Sequence, residues 1–193
     1  MNPLFQPDAF VIKRKGLSTD KLRVFSGNGD FLMYAEQKVK WTAPFTATVR
    51  IFADDQKQQE ILRASDAGGR EYENFLEVTD PVSGESVGGL GLDMGFIKDG
   101  WKIMDPAGQV LATVGEKSAG RSLARQLSGG AIAQKLDVKM GGETIATLRQ
   151  KHALIGNHLH AEFAPQASAR LDHRLLVAAA VFVAAYQAKE DLD

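Results

Sequence analysis

Cysteine is absent from this chain of 193 residues. That absence excludes disulfides, thiol nucleophiles, Cys-based zinc sites and S-acylation. Neither sign of charge dominates: 23 Lys and Arg stand against 24 Asp and Glu, a formal net charge of −1. No global field draws in nucleic acid, and no nucleic-acid partner is expected. Asn-x-Ser/Thr glycosylation acceptors are lacking throughout. The first eight residues have neither a basic n-region nor an apolar h-region, so no signal peptide is expected. A hydrophobic content of 44% and a charged content of 24% are those of an ordinary soluble globular protein. The length suits one domain, residues 1–193, with a sizeable core, and the expected location is the cytoplasm.

An apolar run of bilayer length is also missing. The longest, residues 175–186, reads Leu-Leu-Val-Ala-Ala-Ala-Val-Phe-Val-Ala-Ala-Tyr. Ala-rich and without Gly or Pro, it reads as a helix of roughly 18 Å, whereas about 20 apolar residues are needed to cross a membrane. A helix apolar on every face and too short to span must be enclosed by its own protein.

What encloses it is written in period two. Residues 21–34 form a strand, a Gly27-Asn28-Gly29 turn and a returning strand. The same pattern recurs at 75–87, turning through Ser83-Gly84-Glu85, and at 101–114, turning through Asp105-Pro106-Ala107-Gly108. It recurs again at 136–148, turning at Gly141-Gly142, and less regularly at 47–63 through residues 54–57. Strands at 10–13 and 158–163 bring the total to about twelve. Asp-Pro-Ala-Gly is a strong type I turn, in which Asp caps, Pro presets φ and Gly supplies the positive φ. One further short helix is read at 118–127.

Eight-stranded barrels are filled by their own side chains, whereas eleven or more strands can surround a central helix. The expected architecture is therefore mainly β: a closed antiparallel barrel of about twelve strands with residues 171–189 as an axial helix. Five alanines in the apolar run suit a narrow lumen, and closure removes exposed strand edges.

The order of these elements, the Asp-x-x-Gly hairpin at Asp105 to Gly108, and Leu171-Asp172-x-Arg174-Leu175 opening an apolar helix resemble the Tubby C-terminal-like superfamily. The likeness covers nearly the whole chain and is greatest to the LURP-one-related and phospholipid scramblase-like branch. It implies a twelve-stranded barrel around a hydrophobic C-terminal helix. It also implies binding of phosphoinositide headgroups, as Tubby domains do through basic residues on the barrel. Eukaryotic scramblases carry an acidic calcium-binding run before the last helix and a Cys-rich segment. Here residues 163–172 hold a single carboxylate, Asp172, and the chain has no Cys, so calcium-activated scrambling is not expected.

Few side chains announce chemistry. His158-x-His160 places two imidazoles on one strand face, but without Cys or carboxylate partners in sequence they read as polar residues of an outer surface. Residues 88–95, Gly-Gly-Leu-Gly-Leu-Asp-Met-Gly, lack the following helix and Lys-Ser/Thr of a P-loop and read as bulges or close backbone approach. Asp80, Asp99 and Asp105 fall in turns. Asp172-His173-Arg174 reads as a cap on the barrel mouth. No catalytic residues, metal or cofactor are expected.

Basic residues are the better lead: Lys13-Arg14-Lys15, Lys38 with Lys40-Trp41, Arg121 with Arg125, and Arg149-x-Lys151. Converging, they would form an anion site for phospholipid headgroups. Lys13 and Lys15, sharing a strand face, and Arg121 and Arg125, sharing a helix face, are the first candidates. The expected function is a non-enzymatic module that binds anionic phospholipid at a membrane surface. A protein-docking scaffold and a scramblase-like lipid handler are the alternatives.

Overall fold

The structure is a computed structural model that describes residues 2–16, 20–40, 46–66, 75–93, 100–116, 134–152 and 157–190. Twelve strands alternate along the chain: β1 (Ala9–Arg14), β2 (Lys21–Ser26), β3 (Phe31–Lys40), β4 (Thr46–Phe52), β5 (Glu60–Asp66) and β6 (Phe75–Asp80). They continue as β7 (Glu85–Asp93), β8 (Gly100–Met104), β9 (Val110–Glu116), β10 (Lys135–Met140), β11 (Glu143–His152) and β12 (Asn157–Phe163). Each pairs with its sequence neighbours, and β1 pairs with β12 to close an antiparallel barrel. A 3-10 turn, Pro3–Phe5, precedes β1. Two helices follow β12: the short α1 (Ala167–Arg170) and the axial α2 (His173–Glu190). The segment 118–127 lies outside the described residues.

The hairpins follow the turn chemistry of the sequence. At Asp105 to Gly108 the Gly108 amide donates to the Asp105 carbonyl at 3.0 Å, and the Gln109 amide donates to the Asp105 carboxylate at 2.8 Å. Gly108 sits at φ +87°, where a Cβ would be strained. Side chains then alternate inward and outward by the pleat. Val24, Met33, Leu62, Val78, Ile103, Ile145 and Ala161 face the lumen and are fully buried.

The inner faces close on α2. Leu175 through Ala185 are all buried, and Phe182 meets Trp101 edge-on at 4.6 Å between ring centroids. One polar side chain reaches the helix from inside the wall: the Gln37 amide donates to the Ala185 carbonyl at 3.2 Å. Among the described residues no helix is long and apolar enough to cross a membrane.

The axial helix begins at His173, two residues later than the apolar pattern suggests, because Leu171 is extended and ends α1. Asp172 caps α2, its carboxylate accepting from the Arg174 amide at 2.8 Å. Arg174 grips the same carboxylate, with Nη2 to Oδ2 at 2.7 Å, and its Nη1 reaches Glu85 at 2.9 Å and Asp80 at 3.4 Å on the β6–β7 hairpin. One guanidinium thus ties the start of the helix to the barrel wall. Burial pushes the Asp172 carboxyl up, but hydrogen bonds and charge from Arg174 together hold it below the usual carboxylate range.

Replacing Arg174 by Met leaves three carboxylates facing one another, two of them, Asp80 and Asp172, partly buried. The expected cost is about 2–4 kcal/mol, read by urea unfolding at neutral pH. Because the folded-state pKa of Asp172 is depressed, its contribution is present above the unfolded value of about 4 and is lost as pH falls through the folded value. The gap between wild type and Arg174→Met should therefore narrow on acidification. A gap constant down to about pH 3 would show that the tie is not electrostatic.

The glycine-rich stretch of β7 is a packing device. Gly88 lies at φ +143° opposite a register shift between Val78 and Thr79. A Cβ on Gly89 would fall 2.1 Å from the Phe75 ring, and one on Gly91 would fall 2.7 Å from the Met104 methyl. Phe75 and Met104 therefore occupy the space that side chains at Gly89 and Gly91 would need. The described part of the stretch, residues 88–93, holds bulge and close approach, as its composition suggests, and Met94 and Gly95 lie outside the described residues.

Candidate anion-binding face

Antiparallel pairing puts outward side chains of neighbouring strands into rows. On β12, Leu159, Ala161 and Phe163 are buried while His158, His160 and Glu162 face outward. Lys13 of β1 stands opposite His158, and so does Lys151 of β11. His160 stands opposite Arg149 of β11 and Val11 of β1, and Lys135 of β10 lies opposite Arg149. Partners across such a pair have Cα atoms about 5 Å apart, so Lys13, His158 and Lys151 fall within about 10 Å of one another along the wall. Three permanent cations thus surround two half-buried imidazoles. Among the described residues, Lys13, Arg149 and Lys151 have no carboxylate partner within ion-pair distance.

The imidazoles record this environment. The pKa of His158 is lowered by burial and then by the Lys13 charge. That of His160 is lowered by burial, then by Lys151 and His158, with smaller opposition from Glu162. Both therefore favour the neutral form at physiological pH. No third His, Asp or Glu joins them in a metal-binding group among the described residues.

Aromatic rings border the cations. The Lys13 ammonium sits 4.9 Å over the Phe25 ring, and Phe25 meets Phe31 edge-on at 5.9 Å. Phe31, at the start of β3, is 41% exposed, which is high for a large apolar ring.

Lys15 has another fate. It lies just past the end of β1, pairs with Asp55 at 3.5 Å and covers the Tyr34 ring at 4.8 Å. Asp55 also accepts from Arg23, whose hydrogen bond is the main reason its carboxyl is held low. On the same face, Glu36 accepts from the Tyr34 hydroxyl at 2.9 Å and pairs with Lys57. Burial and the bond to Glu36 push the Tyr34 phenol far above its usual range. Glu60 is shared by Arg50 and Arg63. Each of these five cations thus has a carboxylate partner, and the pairs on Asp55 and Lys57 hold the β4–β5 turn against the barrel.

Of the first candidates, Lys13 faces the cationic rows, Lys15 is committed to Asp55, and Arg121 and Arg125 lie outside the described residues. Lys38 is exposed on β3; Trp41 lies outside the described residues. The sequence reading kept the His-x-His pair and Arg149-x-Lys151 apart. Hairpin register between β11 and β12 would have joined them, and only the β1–β12 closure adds Lys13.

Fold and face together define a closed twelve-stranded antiparallel barrel built around its own C-terminal helix, with a cationic outer face at β11, β12 and β1. No family model, no curated protein and no solved structure matches the chain.

Proposed function

We propose that the protein is a non-enzymatic binding module whose outer wall at β11, β12 and β1 holds anionic phospholipid headgroups at a membrane surface. The observation that carries this reading is the placing of Lys13, Arg149 and Lys151 around His158 and His160, with no carboxylate within ion-pair distance of the three cations among the described residues. Headgroup phosphates suit such a row, because ammonium and guanidinium donors make their strongest hydrogen bonds to anionic oxygens. Exposed Phe31 beside the row favours a membrane over a free phosphate, since an aromatic ring gains by leaving water at the interface. The likeness to Tubby domains points to the same ligand class. A lumen ligand of the lipocalin kind is disfavoured because α2 already fills that space.

The test is co-sedimentation with vesicles of graded anionic content at two salt concentrations. Binding should rise with anionic fraction and fall with salt, since exposed charges are screened over about 8 Å at physiological ionic strength. A juxtamembrane Lys or Arg contributes about 1 kcal/mol, so replacing Lys13, Arg149 and Lys151 together by Ala should weaken binding by about a hundredfold. Lys15→Ala, which removes a cation already paired with Asp55, should change it less than threefold by the same reasoning, within about 1 kcal/mol. Indifference to lipid charge would replace the headgroup reading with that of a protein-docking scaffold.

A further inference from the structure

Two imidazoles lie between three permanent cations on one patch of wall, and that arrangement has a consequence for protons. Each group facing them can be named. Against His158 stand Lys13 from β1, Lys151 from β11 and, on its own strand, His160. Against His160 stand Arg149 and Lys151 from β11, Lys13 and the uncharged Val11 from β1, and Glu162 on its own strand. Beyond Arg149 lies Lys135 of β10. The local charge is thus strongly positive, with Glu162 the one carboxylate facing the pair among the described residues.

A further positive charge on either ring is opposed by these cations as long as the face is empty. An anion seated across Lys13, Lys151 and Arg149 cancels that repulsion and offers oxygens to an imidazolium N–H. The same two rings that stay neutral on the empty face then become donors to the ligand. Resting on the headgroup reading above, we propose that binding at this face is coupled to proton uptake by His158 and His160, so that the protein holds an anionic membrane more tightly as pH falls. By linkage, whatever raises the proton affinity of the rings on binding must raise the affinity for the anion on acidification. Because burial and the neighbouring cations hold both rings below the usual value of about 6.5 on the empty face, the affinity should rise as pH falls through about 6.5 toward those depressed values.

Vesicles of zwitterionic lipid doped with phosphatidylglycerol are the probe, because a phosphodiester keeps one charge across that window. Wild type should bind up to about twenty-fivefold more tightly at about pH 5.5 than at 7.5, two added cations each being worth about fivefold at an anionic surface. His158→Gln/His160→Gln should lose the response, its affinity at about pH 5.5 staying within about twofold of its own affinity at 7.5. Acidification also makes the whole chain more positive, and a general effect of that kind would persist in the double variant. As a check that needs no variant, calorimetry in two buffers of different ionisation enthalpy should show wild type taking up protons on binding near pH 6.5.

Binding with no pH dependence, a response retained in the double variant, or the absence of proton uptake would each overturn the coupling while leaving the headgroup reading intact. No binding at either pH would overturn both. Tightening toward alkaline pH would reverse the sign and end the proposal.

Discussion

Phe182→Asp should yield no soluble, cooperatively melting protein. Phe182 is 1% exposed at the middle of an axial helix whose neighbours from Leu175 to Ala185 are buried on every side. Its ring stands edge-on to Trp101 of the wall. Truncating a buried Phe to Ala costs about 3–5 kcal/mol, and an unpaired carboxylate in the same place adds several more. A domain of this size is stable by only about 5–15 kcal/mol, so the change exceeds what the fold can absorb. From Leu175 to Ala185 no residue is more than 8% exposed, so the carboxylate has no nearby route to water. Phe182→Leu supplies the graded control and should cost less than about 2 kcal/mol in urea unfolding. A soluble Phe182→Asp with a sharp thermal transition would mean that α2 does not lie inside the barrel.

Gly88→Ala is the second large effect, and its cause is backbone geometry. Gly88 sits at φ +143°, and a Cβ there would lie 2.3 Å from the Met104 carbonyl oxygen and within 3.2 Å of both Leu175 methyls. The carbonyl belongs to β8 and cannot swing aside without breaking the sheet, while Leu175 is the first buried apolar residue of α2. The expected loss is about 3–5 kcal/mol, combining backbone strain with overpacking. Two other glycines calibrate it. Gly84 has a positive φ but open space around it, so Gly84→Ala should cost about 1–2 kcal/mol. Gly115 has neither constraint, and Gly115→Ala should be close to neutral. Urea midpoints for the three variants should fall in that order. An equal loss at Gly88 and Gly84 would show that φ alone matters and that β8 and the helix yield.

The charge-driven expectations are smaller and separable from these. Arg174→Met acts on folding and depends on acid pH. The alanine replacements at Lys13, Arg149 and Lys151 act on vesicle binding and depend on salt. Neither set touches the packed interior, so a loss of binding in the second set without a change in melting keeps the two roles distinct.

How much of this was legible beforehand follows from which interactions are local. The apolar run from Leu175, the alternation of each strand and the Asp105-Pro106-Ala107-Gly108 turn are statements about neighbours in sequence. They determined the number of strands, the places of the hairpins and the need for an enclosed helix. The start of that helix was less legible, because Asp172 is made its cap by the extended backbone of Leu171 and by Arg174 reaching across to the β6–β7 hairpin. Nothing local marks Gln37, and only the helix backbone inside the lumen gives its amide the Ala185 carbonyl to meet.

The candidate site divides the same way. That His158 and His160 share an outer face follows from period two alone, and so does the shared face of Arg149 and Lys151. What joins them to Lys13 is closure of the barrel, a pairing between the first and last strands that no local pattern encodes. Closure also separates two lysines that look alike in sequence. Lys13 is left facing imidazoles and cations, whereas Lys15, two residues on, falls within reach of the β4–β5 turn and is neutralised by Asp55. Sequence by itself determined a barrel around its own helix, because alternation and apolar length are properties of the chain. Which charges remain available on its wall was decided only by tertiary structure, because the net charge of a patch depends on partners brought together from distant strands.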